Sequence, residues 1–286
     1  MKTSELVTLR YRGVNLNIAI RFREQGDDLL VLLHGLGCSK ESFDGAFSAP
    51  ELSGYAVCAL DFPGHGASSR NLPRWIYSLE AYADIAGKVV SRVLAKAGRD
   101  YNRLCVAGHS MGGAVAVLLP DMEREVACLV SIDGNLIAND CGLVSHSIAE
   151  QSVEQFVGKG YSDFCAALRS SAGPDTRAWA LWCASAAPEA MHAAARSLVK
   201  WSESGKLLER FTAVGKNAFL YGARDDKGYL LPLIRESAVT AVPGAGHFMM
   251  VDQPQTFYRL LAAVLEPASG DSVAGFRRQD SLQPVP

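Results

Sequence analysis

No Cys-x-x-Cys pair occurs anywhere in the chain, which removes the thiolate spacing of zinc ribbons and thioredoxin-type redox sites. The six histidines are spread along the sequence without the spacing that builds a zinc site, so no metal is expected. An excess of charge of one sign is missing too. The net charge is only -2, which gives no reason to expect nucleic acid or an anionic membrane surface as partner. No apolar run approaches the length of a membrane span. The start, Met1-Lys2-Thr3-Ser4-Glu5, leads into alternating strand-like sequence and not into an apolar signal stretch, and no internal repeat is evident. The seven cysteines are an odd number and scattered. Cys58, Cys105 and Cys128 fall inside apolar runs, where cysteine acts as a small hydrophobe. The expectation is a reduced, soluble, cytoplasmic protein that uses no cofactor.

What is present is an ordinary globular composition, 49% hydrophobic and 20% charged over 286 residues. That is enough for one large α/β domain with a substantial insertion. Leu6 to Arg10 and Asn15 to Arg21 read as two strands joined through Gly13, a hairpin. Leu29 to Leu33 is a continuous apolar run, as in a strand covered on both faces. Ala56 to Leu60, Leu104 to Ala107, Ala127 to Ile132, Ala218 to Tyr221 and Ala238 to Val242 repeat the pattern. Between several of them lie helical stripes, such as Ile85, Val89, Val93 and Leu94 within Leu79 to Ala97. A last helix spans Phe257 to Leu265, between Pro254 and Pro267. Strands alternating with helices predict a mostly parallel sheet with helices on both faces.

From Asn135 to Val214 the alternation stops. No convincing strand is read there, but helical patterns cover Ile148 to Val157, Ser162 to Ser170, Thr176 to Ala186, Glu189 to Ser202 and Lys206 to Phe211. The expected organisation is a core of residues 1–134 and 215–266, a helical lid over 135–214, and a loose tail over 267–286 that is rich in Ser, Gly, Gln and Pro.

The strongest chemical signal is Gly108-His109-Ser110-Met111-Gly112-Gly113, which follows the apolar run Leu104-Cys105-Val106-Ala107. A serine hydroxyl is a poor nucleophile until it is exposed, desolvated and paired with a base. A sharp strand-to-helix turn does the exposing, provided that the residues two positions either side are small. Gly108 and Gly112 stand at those positions, and Met111 offers its N–H at the start of the next helix.

Three further motifs follow other strands. They are His34-Gly35-Leu36-Gly37, Asp61-Phe62-Pro63-Gly64-His65-Gly66-Ala67-Ser68, and Gly244-Ala245-Gly246-His247-Phe248. All lie just beyond carboxyl ends of predicted strands, where open α/β sheets place their ligands. Together the four motifs resemble the α/β-hydrolase superfamily, in chain order, over roughly residues 6 to 266. The resemblance implies an α/β-hydrolase fold: a mostly parallel eight-stranded sheet flanked by helices, with an inserted all-helical lid. It implies Ser110 as nucleophile and His247 as the base that takes its proton and later returns it. The oxyanion hole would be the N–H groups of Leu36 and Met111. His34 reads as an organiser of its loop, and His65 and His109 as structural or pocket-lining.

The triad acid stays open at this level. The superfamily commonly places it after the seventh strand in a Gly-x-x-Asp arrangement, which Gly222-Ala223-Arg224-Asp225 matches. The following Asp226-Lys227-Gly228 departs from the usual apolar-Pro continuation. A second position used by some members lies after the sixth strand, where Asp133 follows Leu129-Val130-Ser131-Ile132. Asp225 is the first choice, Asp133 the alternative and Asp226 the remainder; either of the first two could hold the imidazole tautomer.

In the lid, Trp179 and Trp182 stand three residues apart on a predicted helix, with Phe164 nearby in sequence. These aromatics either pack the lid onto the sheet or line an apolar cleft for substrate. The expected function is hydrolysis of a small to medium, fairly apolar ester or related acyl bond through an acyl-serine, by a monomer or homodimer acting on a small molecule. Carbon–carbon hydrolysis, thioester cleavage, perhydrolysis and acyl transfer share the same serine and stay open. So do a non-enzymatic small-molecule receptor and a cofactor-free oxygenase on the same scaffold.

Overall fold

The computed structural model describes residues 4–119 and 126–266. Strands β1 (Ser4–Tyr11) and β2 (Val14–Arg23) pair antiparallel across a two-residue turn. Arg12 and Gly13 both take positive φ there, 45° and 88°, the mirror-image turn whose twist matches a hairpin. The other strands are β3 (Asp28–Leu33), β4 (Tyr55–Leu60), β5 (Leu104–His109), β6 (Cys128–Ile132), β7 (Asn217–Gly222) and β8 (Ala238–Val242). They form one eight-stranded sheet in the order β1-β2-β4-β3-β5-β6-β7-β8. β2 meets β4 antiparallel, and all pairs from β4 to β8 are parallel.

The continuous apolar runs find their reason in two cores, one on each face of the sheet. Leu29, Val31 and Leu33 of β3 enter one core, and Leu30 and Leu32 the other, as the two-residue period of a strand requires. Helix α1 (Leu79–Ala97) packs Tyr82, Ile85 and Val89 into the first core. It starts at Ser78, whose hydroxyl accepts the Ala81 N–H at 3.3 Å, and ends at Gly98. Helix α2 (Met111–Leu118) lies on the same side.

Among the described residues no strand lies between β6 and β7. The chain there forms α3 (Gly142–Ala149), α4 (Val153–Gln155), α5 (Tyr161–Ser170), α6 (Pro174–Cys183), α7 (Pro188–Glu203) and α8 (Lys206–Ala213). The helix expected over Ile148 to Val157 is corrected. α3 ends at Ala149, and a new start is made at Ser152, whose hydroxyl takes the Gln155 N–H at 3.2 Å while Gln155 Oε1 takes the Ser152 N–H at 2.8 Å. This reciprocal cap breaks the apolar stripe into two helices, and α4 then runs through a π-helical turn, Phe156–Gly160, into α5. After β8 come α9 (Met249–Asp252) and α10 (Pro254–Leu265), the latter packing Phe257, Leu261 and Leu265 into the second core. The tail read over 267–286 lies outside the described residues. No described helix is long and apolar enough to cross a membrane.

Candidate active site

Ser110 sits between β5 and α2 with φ 53° and ψ −121°, a strained backbone for any residue with a side chain. The surroundings enforce it. The Ser110 N–H is held by the Ile132 carbonyl at 3.0 Å, and the Ser110 carbonyl takes the Gly113 N–H at 2.8 Å. The turn closes so tightly that a Cβ on Gly108 would come 2.0 Å from the Gly112 carbonyl oxygen. One on Gly112 would come 2.2 Å from the Leu33 carbonyl oxygen. No side chain fits at either place. Met111 opens α2, so its N–H is one of the helix donors with no intrahelical acceptor.

His247 follows β8. Its Nδ1 lies 2.7 Å from Asp133 Oδ2, and its backbone carbonyl accepts from His109 Nε2 at 2.9 Å. Burial, followed by the nearby His247, pushes His109 down to about 3. It is therefore a neutral ring whose Nε2–H anchors the backbone of His247. His34 has a similar role in the neighbouring loop. Its Nδ1 contacts the Gly35 carbonyl at 2.8 Å and its Nε2 accepts the Phe62 N–H at 3.1 Å. Burial pushes it down to about 4.

Of the candidate acids, Asp133 is the one on the imidazole, and its side chain is only 1% exposed. The first choice from sequence, Asp225, has no hydrogen bond to His247 in the described structure; its carboxyl lies beside Asp133. Partial burial and then the Asp133 charge push Asp225 up. Asp133 goes the other way: burial opposes its charge, but His247 and Lys227 overcome that and hold it well below the usual carboxylate range. Lys227 Nζ lies 2.6 Å from Asp133 Oδ1. Ligand atoms of Asp133, Asp225 and His247 lie within 4.8 Å of one another, a spacing a divalent cation could bridge. The Lys227 ammonium already supplies positive charge there.

Ser110 and His247 line one cavity of about 220 Å³, together with Leu36, Trp179 and Phe248. Trp179 Nε1 donates to the Leu36 carbonyl at 3.1 Å, so α6 is bonded to the His34–Gly37 loop. Trp182 packs on Phe248 with ring centroids 5.9 Å apart, and Phe164 meets Trp179 edge-on at 5.2 Å. Trp179 alone of the three sequence-chosen aromatics lines the cavity; the other two pack around its wall. Sequence reasoning missed Asn135, Asp140, Cys141, Val144 and Ser145, which also line it, and it missed Lys227. Asn135 to Ser145 stand where the chain leaves β6, so the strand end was their only signal.

The profile of the Alpha/beta hydrolase family matches residues 30–260. An uncharacterized protein of Mycobacterium tuberculosis is 34% identical over 139 residues, which cover 48% of this chain and 38% of that protein. The chain thus spans well under half the length of the curated relatives it matches first. Among solved structures, an N-acyl homoserine lactonase complexed with N-hexanoyl homoserine lactone superposes with a TM-score of 0.70 at 19% identity, covering 91% of this chain and 97% of that one. A structure from a study of carboxylesterases of the thaumarchaeon Nitrososphaera gargenis gives 0.68 at 18% identity, covering 91% and 97%. At such identities the likeness is one of fold.

Proposed function

This chain belongs to the alpha/beta hydrolase family, and on that premise we propose that it is a serine hydrolase of small carboxylic esters or lactones. One observation carries the reading: a strained serine and a histidine already bonded to a buried carboxylate line the same cavity. In this mechanism Ser110 Oγ attacks the acyl carbonyl while His247 Nε2 takes the hydroxyl proton. Asp133 holds the ring with Nδ1–H toward itself and stabilises the imidazolium. Negative charge on the tetrahedral oxygen falls to the Leu36 and Met111 N–H groups. Collapse breaks the bond to the alcohol, which leaves with the proton from His247. Water, deprotonated by the same imidazole, then cleaves the acyl-serine and releases the acid.

The cavity sets the substrate size. About 220 Å³ walled by Leu36, Trp179 and Phe248 suits a short apolar acyl group and lies below the usual range for drug-sized ligands. With p-nitrophenyl esters, kcat/KM is expected to fall by about tenfold or more between butanoyl and decanoyl chains. A flat profile would show that chains escape the cavity. The helical segment between β6 and β7 acts as a cap over this site. The seven buried, unpaired cysteines suit a reducing compartment, and we place the protein in the cytoplasm.

Trp179 is the bond between cap and oxyanion loop. Trp179→Phe keeps a ring but loses the donor to the Leu36 carbonyl. A neutral hydrogen bond is worth about 1 kcal/mol, so kcat is expected to fall by about three- to tenfold. Steady-state kinetics on an acetyl ester check this; an unchanged kcat would detach the indole from the oxyanion loop.

The test of the function is a fluorophosphonate probe together with a panel of short esters and lactones. Rapid labelling with turnover supports the acyl-serine reading, and neither sinks it. The place of the acid after β6 favours a second reading, in which His247 and Asp133 deprotonate a substrate for cofactor-free oxygenation and Ser110 only donates a hydrogen bond. That reading expects oxygen consumption and a mild effect of removing the Ser110 hydroxyl.

A further inference from the structure

Lys227 takes no part in the acyl-transfer steps, yet it is the cation at the centre of the acidic side of the site. Its side chain is 10% exposed, and its ammonium sits on a carboxylate that is 1% exposed. Exposed ion pairs contribute little, whereas a buried carboxylate left without its cation is strongly disfavoured. The same ammonium faces Asp140 Oδ1 at 3.7 Å and the Tyr229 hydroxyl at 3.4 Å. Tyr229 closes the circuit by donating to Asp140 Oδ1 at 2.8 Å. Asp140 Oδ2 in turn accepts the N–H groups of Leu136 and Ile137 at 3.0 and 3.1 Å, fixing the chain just after β6. The loop after β7 therefore reaches across to the loop after β6 and grips the acid that β6 carries.

From this arrangement we propose that Lys227 is a positioning residue for the triad acid: it pins Asp133 Oδ1 so that Oδ2 stays on His247, and it tempers the negative charge that the imidazole experiences. Two carboxylates, Asp133 and Asp225, lie side by side here. Like charges that close drive one partner to hold a proton; Asp225 is the one pushed up, so Asp133 stays the ionised acceptor of the imidazole and the ammonium tempers its charge. Among the described residues the other titratable groups facing His247 are Asp225 and the ring of His109, 4.6 Å away between centroids and kept neutral by burial. The inference rests on the hydrolase reading.

The sign of the effect follows from charge. With the ammonium gone, Asp133 acts on His247 with its full negative charge, the imidazolium gains, and the free base is lost at a higher pH. For K227M, kcat is expected to fall by about tenfold with KM within about twofold. The acidic limb of the kcat/KM profile is expected to move up by about one pH unit. K227R restores both. K227Q, which keeps a donor without the charge, moves the limb as K227M does, and stands in for it if thermal melting shows K227M unfolded. An unmoved or lowered limb in the uncharged variants, or failure of K227R to rescue, overturns the proposal with the wild type active. A wild type that neither labels with fluorophosphonate nor turns over esters fails the hydrolase reading, and the proposal falls with it.

Discussion

Ser110→Ala is expected to lower kcat on a short ester by about 10⁴- to 10⁶-fold and to abolish fluorophosphonate labelling, with the melting temperature held near wild type. The size follows from what the side chain alone supplies. On the mechanism proposed above, no acyl-enzyme forms without the hydroxyl, and His247 and the Leu36 and Met111 N–H groups are left to assist a direct attack by water. The fold is spared because the strain at φ 53° belongs to the backbone. Alanine bears the same Cβ and suffers the same strain. The surrounding bonds, Ser110 N–H to the Ile132 carbonyl and Gly113 N–H to the Ser110 carbonyl, are main-chain and survive the change. Steady-state kinetics with gel-based labelling and thermal melting check all three effects. A loss smaller than about tenfold would remove the serine from the covalent step and move the chemistry to the His247–Asp133 pair.

The second large effect separates the two acids. Asp133→Asn is expected to cost about 10³- to 10⁴-fold in kcat, because an amide facing Nδ1 can present its NH₂ and select the wrong imidazole tautomer. Asn is also neutral, so it stabilises the imidazolium less and leaves Lys227 as a buried cation without its nearest counter-ion. Asp225→Asn is expected to stay within about threefold of wild type, since Asp225 is bonded to neither imidazole nitrogen in the described structure and only its field reaches the ring. The ratio of the two losses is the measurement. If Asp225→Asn were the more damaging, the short contact between His247 Nδ1 and Asp133 would not be the working one.

Local signals make most of this architecture readable. Strands β3 to β7 announce themselves as apolar runs because they lie between helices and are apolar on both faces; β8, read from the same signal, is the edge strand and is buried only at Val242. Ser110 and His247 are readable because their motifs impose a backbone: glycines where neighbouring main chains come within van der Waals distance, and a strand end beside them. The helix expected over Ile148 to Val157 fails because its apolar stripe runs on through a cap, and Ser152 with Gln155 outweighs the periodicity. The acid is the least legible element. Asp133 and Asp225 end neighbouring strands, β6 and β7, and sequence places both near the imidazole. What decides between them is the side-chain direction of Asp133, a residue at φ 46°, and a lysine that arrives from another loop. Neither has a signature at the level of spacing. The cavity wall from Asn135 to Ser145 is hidden for a similar reason, since its residues matter through where the chain turns and not through their type.

The circuit around Lys227 also bears on how such a site can change over generations. Four adjacent parallel strands, β5 to β8, present serine, aspartate, aspartate and histidine in turn. One imidazole therefore has two seats within reach for its acidic partner, one filled by Asp133 and the other occupied by Asp225 without the bond. On the roles proposed above, a shift of the acid from β6 to β7 would keep a carboxylate within reach of His247 throughout. The tight backbone turn around Ser110 admits only glycine on either side, whereas the place proposed for the acid has a second carboxylate beside it.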